Sequence, residues 1–197
     1  MQLTAADPTA DPTADSTADP TRSDPDRGTG SWQRAAQRAL HPSVRPVGED
    51  VLSAIAEGLA AVTVPWELGH TDGLSARRYE RVLATPAYDA WVIYWPAGEL
   101  LDLHDHGGSA GAFSVVSGEL AEATVEAGAT VVRTFAQGQT SDFGASRVHA
   151  VANRGSAVAT SVHVYSPPLS SMVYYQHDGD GALIAVSEDA HTWAGSR

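Results

Sequence analysis

The stretch that decides the reading runs Gly98-Glu99-Leu100-Leu101-Asp102-Leu103-His104-Asp105-His106-Gly107-Gly108-Ser109-Ala110-Gly111 and continues through Phe113, Val115 and Val116 to Gly118. His104 and His106 stand two apart in a segment that reads as a strand, so their side chains share one face and Asp105 takes the other. Two imidazoles so placed can chelate one divalent metal. An H-x-H pair alone suits a solvated strand face equally well, so the surroundings carry the argument. Gly98 and Gly118 bracket the pair at positions where hairpins between short strands need positive φ.

Further along, His149-Ala150-Val151-Ala152-Asn153 is preceded by Gly138 and Gly144. Asn153 is the only Asn in 197 residues, and all 12 basic side chains are Arg. That bias fits a GC-rich coding sequence, and an Asn that persists against it marks its position. The two stretches resemble the two motifs of the cupins, G-x5-H-x-H-x4-E-x6-G and a second ending in H-x3-N. Gly111 is the departure, standing where many cupins have a ligating Glu. The ligand set His104, His106 and His149 without a carboxylate suits Fe, Zn, Cu or Ni rather than Mg or Ca. It also leaves the full divalent charge on the metal, which attracts an anionic thiolate.

Composition narrows the partners. The formal net charge of −12 argues against nucleic acid and anionic membrane surfaces, which need basic patches. The chain has no Cys, which removes disulfides, thiolate-bound zinc and a Cys nucleophile. No apolar run approaches the roughly 18 residues of a membrane span, and the N-terminus lacks the pattern of a secretory signal. A cytoplasmic monomer is expected. The 43% hydrophobic content supports one core in a chain of ordinary domain length.

Residues 1–30 are built mainly from Asp, Pro, Thr, Ala and Ser, with a TADPT-like repeat from Thr9 to Thr21, and read as a disordered tail. Residues 31–197 read as a single domain. Helices are expected at Trp32 to Leu40 and Glu49 to Val62, the second carrying Val51, Leu52, Ile55, Leu59 and Val62 at helical spacing. Strands are expected near 88–95, 101–106, 111–117, 119–126, 129–136, 147–152, 158–166 and 182–187. Short N-terminal helices before such a run predict a mainly β fold, a double-sheet barrel of the jelly-roll type to which cupins belong.

Two segments carry a closer resemblance. Leu103-His104-Asp105-His106-Gly107-Gly108-Ser109 with Gly118 and Glu122, and Ser161-Val162-His163-Val164-Tyr165-Ser166-Pro167-Pro168, resemble the bacterial cysteine dioxygenases over about residues 75–187. The resemblance implies Fe(II) on His104, His106 and His149, and a relay of Ser161, His163 and Tyr165. The strand period agrees, since i, i+2 and i+4 share one face and a hydroxyl, an imidazole and a phenol can form a hydrogen-bonded chain. The same polar network could instead serve only to rigidify the sheet. The family's Arg for the substrate carboxylate, in a Tyr-x-Arg pattern, maps best onto Tyr79 and Arg81, with Arg77 and Arg78 as competitors. An Arg fork matches a carboxylate bidentately. Gly111 also replaces the Cys that some relatives cross-link to the relay tyrosine, Met172 replaces a second Cys, and Ser166–Pro167 is the expected cis bond.

The implied activity is oxidation of L-cysteine by O2 to cysteine sulfinic acid. The alternatives are dioxygenation of 3-mercaptopropionate, mercaptosuccinate or cysteamine, or a metal- or ligand-binding cupin without turnover. His41, His70, His177 and His191 have no partner at metal spacing and read as surface residues. Tyr174, Tyr175, Trp91 and Trp95 read as barrel wall.

Overall fold

The computed structural model describes residues 45–63, 74–126, 128–179 and 181–189, all in a unit spanning Val44–Arg197. The expected tail, the expected helix at 32–40, and His41, His70 and His191 lie outside the described residues. Among the described residues no helix is long and apolar enough to cross a membrane.

Among the described residues one helix, α1 (Glu49–Val62), precedes eleven strands: β1 (Arg78–Ala84), β2 (Asp89–Trp95), β3 (Leu100–His104), β4 (Ala110–Ser117), β5 (Glu119–Glu126), β6 (Ala129–Ala136), β7 (Thr140–Phe143), β8 (His149–Ala152), β9 (Ala159–Ser166), β10 (Met172–His177) and β11 (Leu183–Asp189). They form two antiparallel sheets, ordered β1-β2-β9-β4-β7 and β11-β10-β3-β8-β5-β6. The interleaved order makes the expected double-sheet barrel.

Two hydrophobic clusters explain the burial. The inner one holds Trp91, Trp95, Phe113, Val115, Leu120, Phe143, Val151 and Tyr165 between the sheets. The outer one places Leu52 and Ala56 of α1 against Ala90, Val92, Tyr94, Ala112, Val162 and Val164 on the back of the first sheet. Strand β9 lies between both clusters and is buried along its whole length. Period two then sorts it: Ser161, His163 and Tyr165 face inward, while Val162 and Val164 lie under the helix. Burying a side chain such as Leu52 contributes about 1.5–3 kcal/mol, so α1 fixes the back of the strand that carries Ser161, His163 and Tyr165.

The helix matches its expected span, but its buried face differs. Val51 and Val62 are exposed, and Leu52, Ile55, Ala56, Leu59 and Ala60 form the packed stripe. A stripe at i, i+3, i+4, i+7 and i+8 leaves Val51 about a hundred degrees away from Leu52. Glu49 and Asp50 sit in the first turn, where acidic groups suit the helix dipole.

Three strands went unforeseen: β1, β7 and β10. β1 is exposed along most of its length and carries Arg78, Glu80 and Arg81, a composition that hides an edge strand. Strand β3 also ends at His104 rather than at 106. Asp105 keeps the backbone extended by donating its N–H to Val173 O at 2.9 Å, and Gly107 and Gly108 then turn the chain with φ of 57° and 89°. A Cβ at Gly107 would also lie 2.9 Å from Ser171 O, so glycine is required there twice over. The Ser166–Pro167 bond is cis, as expected.

Candidate metal centre

The sheet register brings two of the histidines together. His104 on β3 pairs directly with His149 on β8. Their ring centroids lie 4.8 Å apart, and His106 lies 5.0 Å from each. One ligand atom from each of the three rings falls within 4.8 Å of the others, and all three side chains are buried.

The outward nitrogens decide which atoms face inward. His104 Nδ1 donates to Asp102 O at 2.7 Å. His149 Nδ1 donates to Glu122 Oε1 at 2.6 Å, and Ser141 Oγ donates to Glu122 Oε2 at 2.8 Å. With their protons outward, His104 and His149 present bare Nε2 lone pairs, and His149 Nε2 lies 3.4 Å from His106 Nε2. His106 Nδ1 is buried and, among the described residues, has no hydrogen-bond partner.

Burial pushes the His104 pKa down to about 3, helped by the neighbouring His149, and burial with the charges of His104 and His149 takes His106 well below the ordinary histidine range. Burial pushes the Glu122 carboxyl up. The hydrogen bond and charge of His149, with the Ser141 hydroxyl, outweigh it and leave the group below its usual value. Three buried imidazoles converging on one point are a donor set for a transition metal, and the residues fit such an ion. A ring oriented by an outer hydrogen-bond partner, as His104 and His149 are, is typical of metal-bound histidine.

The position of the absent carboxylate is filled. A Cβ at Gly111 would lie 2.6 Å from two Phe143 ring carbons and 2.8 Å from Val164 O. Phe143 instead stacks on His106 with centroids 4.6 Å apart and planes at 22°. Neither a Glu ligand nor a cross-linking Cys fits at 111 without moving that ring. Negative charge returns one layer further out, at Glu122.

Beside the three rings runs a second buried chain. Ser161 Oγ lies 2.9 Å from His163 Nε2, and His163 Nδ1 lies 3.1 Å from the Tyr165 hydroxyl. Trp95 Nε1 donates to Ser161 Oγ at 2.9 Å. The Tyr165 ring centroid is 5.1 Å from that of His106, so the chain borders the three clustered histidines. His163 stacks on Phe113 at 5.2 Å and 19°. Burial drives the Tyr165 phenol above its ordinary value and His163 far below its own, so both are neutral.

Arg77, just before β1, shares the strand's inward face with Tyr79 and Arg81. The Arg81 guanidinium lies over Trp91 and that of Arg77 over Trp95, 5.5 and 5.4 Å from the ring centroids. Both tryptophans belong to the inner cluster. Arg78 lies over Tyr94, which belongs to the outer cluster. Tyr79 is exposed and meets Trp91 edge-on at 6.2 Å. Arg81 is exposed and its charge acts on Asp89, whereas Arg77 lies 3.9 Å from Glu99 and its charge acts on His104, His163 and Tyr165.

Asn153, singled out by its rarity, ligates nothing. Its Nδ2 donates to Trp95 O, Pro96 O and Ala157 O, and its Oδ1 accepts from Gly155 N. It ties the end of β8 to the end of β2. Sequence reasoning missed Phe143, the role of Trp95 and the contact between Glu122 and His149; a lone carboxylate on the otherwise apolar middle of β5 was the one available signal. His177, set aside earlier, is exposed and bonds Gly181 O at 3.1 Å. The Tyr174 ring centroid lies 6.2 Å from that of His104.

A double-sheet barrel with three inward histidines defines a metal-binding cupin. The family model for cysteine dioxygenase type I matches residues 72–178, more than half of the chain, and the chain belongs to that family. No curated protein matches it. Among solved structures, the protein TT1209 from Thermus thermophilus is 18% identical, with a TM-score of 0.47, covering 54% of this chain and 97% of its own. A conserved protein with a double-stranded β-helix domain from Klebsiella pneumoniae is 17% identical, with a TM-score of 0.46, covering 64% and 97%.

Proposed function

We propose that this protein is an iron-dependent thiol dioxygenase that oxidises L-cysteine with O2 to cysteine sulfinic acid. The observation that carries the reading is the juxtaposition of three buried imidazoles, without a carboxylate among them, and the buried chain ending at Tyr165. His104, His106 and His149 would hold Fe(II). Bound there, Fe(II) would supply orientation of the thiolate and the one-electron oxygen chemistry that no side chain offers.

The chain's own residues do the rest. Arg81, with Tyr79 beside it, pairs with the substrate carboxylate and fixes its pose. Tyr165, oriented by His163 and Ser161, donates a hydrogen bond to the substrate or its oxygen. Phe143, Phe113 and Trp95 exclude water, which strengthens every polar contact in the site.

A second reading is favoured by one feature. Two guanidiniums, Arg77 and Arg81, stand over inner-cluster tryptophans on the same side of the first sheet. A thiol with two carboxylates, such as mercaptosuccinate, would use both.

The test is oxygen uptake by the Fe(II)-loaded protein with L-cysteine, 3-mercaptopropionate, mercaptosuccinate and cysteamine in parallel, with products identified by mass. A gain of two oxygens on cysteine alone establishes the reading. Preference for mercaptosuccinate moves the substrate, and no uptake with any thiol sinks the dioxygenase assignment.

A further inference from the structure

The relay has an end that the proposed reaction does not use. Trp95 is fully buried, and its Nε1 donates to Ser161 Oγ. Its backbone carbonyl is held by Asn153 Nδ2 at 2.9 Å, so the indole is anchored at the main chain as well. An indole N–H can only donate, and Ser161 must accept there. Ser161 is fully buried, and among the described residues its side chain has two hydrogen-bond partners, Trp95 and His163.

A neutral His163 carries one ring proton, and its position sets the direction of the whole chain. With the proton on Nε2, Ser161 Oγ takes two donors at once, and its own buried proton finds no acceptor among the described residues. Tyr165 then spends its proton on Nδ1. With the proton on Nδ1, Ser161 accepts from Trp95 and donates to Nε2, and His163 donates to the Tyr165 oxygen. The Tyr165 proton is left to serve the space beside His106. A hydroxyl that already accepts a hydrogen bond is a better donor and a poorer second acceptor, so the indole biases the chain toward the second arrangement.

We propose that Trp95 is a positioning residue that sets the direction of the Ser161–His163–Tyr165 chain, selecting the Nδ1–H tautomer of His163 and so making Tyr165 a hydrogen-bond donor toward the metal centre. The proposal rests on the relay reading above for its functional meaning, but its geometry stands without it.

The experiment reads the tautomer directly, by two-bond 1H–15N correlation of the His163 ring in protein loaded with diamagnetic Zn(II). Wild type is expected to show the proton on Nδ1. Replacing Trp95 with the isosteric 3-benzothienylalanine, which keeps the ring shape and loses the donor, is expected to move His163 toward a mixture of tautomers. Trp95→Phe is expected to do the same and to lower turnover several-fold with metal content unchanged. An Nε2–H ring in wild type overturns the proposal, and so does an unchanged tautomer in the benzothienyl protein. Unimpaired turnover of Tyr165→Phe would instead remove the relay reading while leaving the tautomer result standing, so the two failures are distinguishable.

Discussion

At His149 two neighbours decide what the ring can do. Glu122 accepts a hydrogen bond from its Nδ1–H, and the bare Nε2 points at His106. The carboxylate gives the ring partial anionic character, which partly offsets the missing ligand at 111. The three-imidazole set is therefore less cationic than its ligand atoms alone imply. Glu122→Gln keeps an acceptor for Nδ1 and removes the charge. Metal affinity, measured by competition with a chelator, is expected to fall by about 10–100-fold. Affinity equal to wild type would mean that the carboxylate only positions the ring. Tyr165→Phe removes one hydroxyl at the inner end of the relay. Turnover is expected to drop on the order of 100-fold, with metal content and fold intact. Unchanged turnover would rule out the donor role.

At the scale of elements, β9 and β8 are the parts that place the chemistry. β9 is buried on both faces, so its odd positions can carry a polar chain only because Val162 and Val164 hold the strand under α1. β8 is short, four residues held between β3 and β5, and its end is tied to the end of β2. Asn153 supplies that tie through three carbonyls and one N–H, reaching across to the end of β2 where Trp95 sits. Asn153→Ala leaves these groups without their partner and is expected to cost about 2–3 kcal/mol. Urea unfolding measures it, and a loss below about 0.5 kcal/mol would show that the tie is dispensable. Its effect on turnover is expected to follow from a displaced Trp95 rather than from a lost ligand.

For the whole molecule, the buried histidines set the response to acid. His104, His106 and His163 are neutral in the folded chain because burial holds their pKa values low, His104 at about 3. In the unfolded chain they take up protons near the ordinary value of about 6.5. Below that value the unfolded state binds more protons, so stability falls as pH falls, from about 6.5 toward the folded values. Glu122, depressed when folded, acts in the same direction below its own unfolded value. Each group contributes a slope of at most about 1.4 kcal/mol per pH unit. The urea midpoint of the metal-free protein is therefore expected to drop between about pH 7 and about pH 5. A flat midpoint over that range would contradict neutral burial of these rings.

The three clustered histidines and the buried Ser161–His163–Tyr165 chain were legible in the linear chain through motif spacing and strand period. His104 and His106 lie two apart, Ser161, His163 and Tyr165 alternate along one strand, and His149 stands four before the only Asn. The barrel followed from short apolar runs between glycines. Apart from the meeting of His149 with His104 and His106, which the motif spacing anticipated, contacts between distant strands were decided by tertiary structure alone. Glu122 reaches His149 from another strand, Trp95 reaches Ser161 from β2, and Phe143 occupies the room beside Gly111. Edge strand β1 was hidden by its charges, and its neighbour β2 decides that Arg77 and Arg81 face inward while Arg78 does not. Spacing along a strand determines which side chains share a face; only the register between strands determines what that face meets.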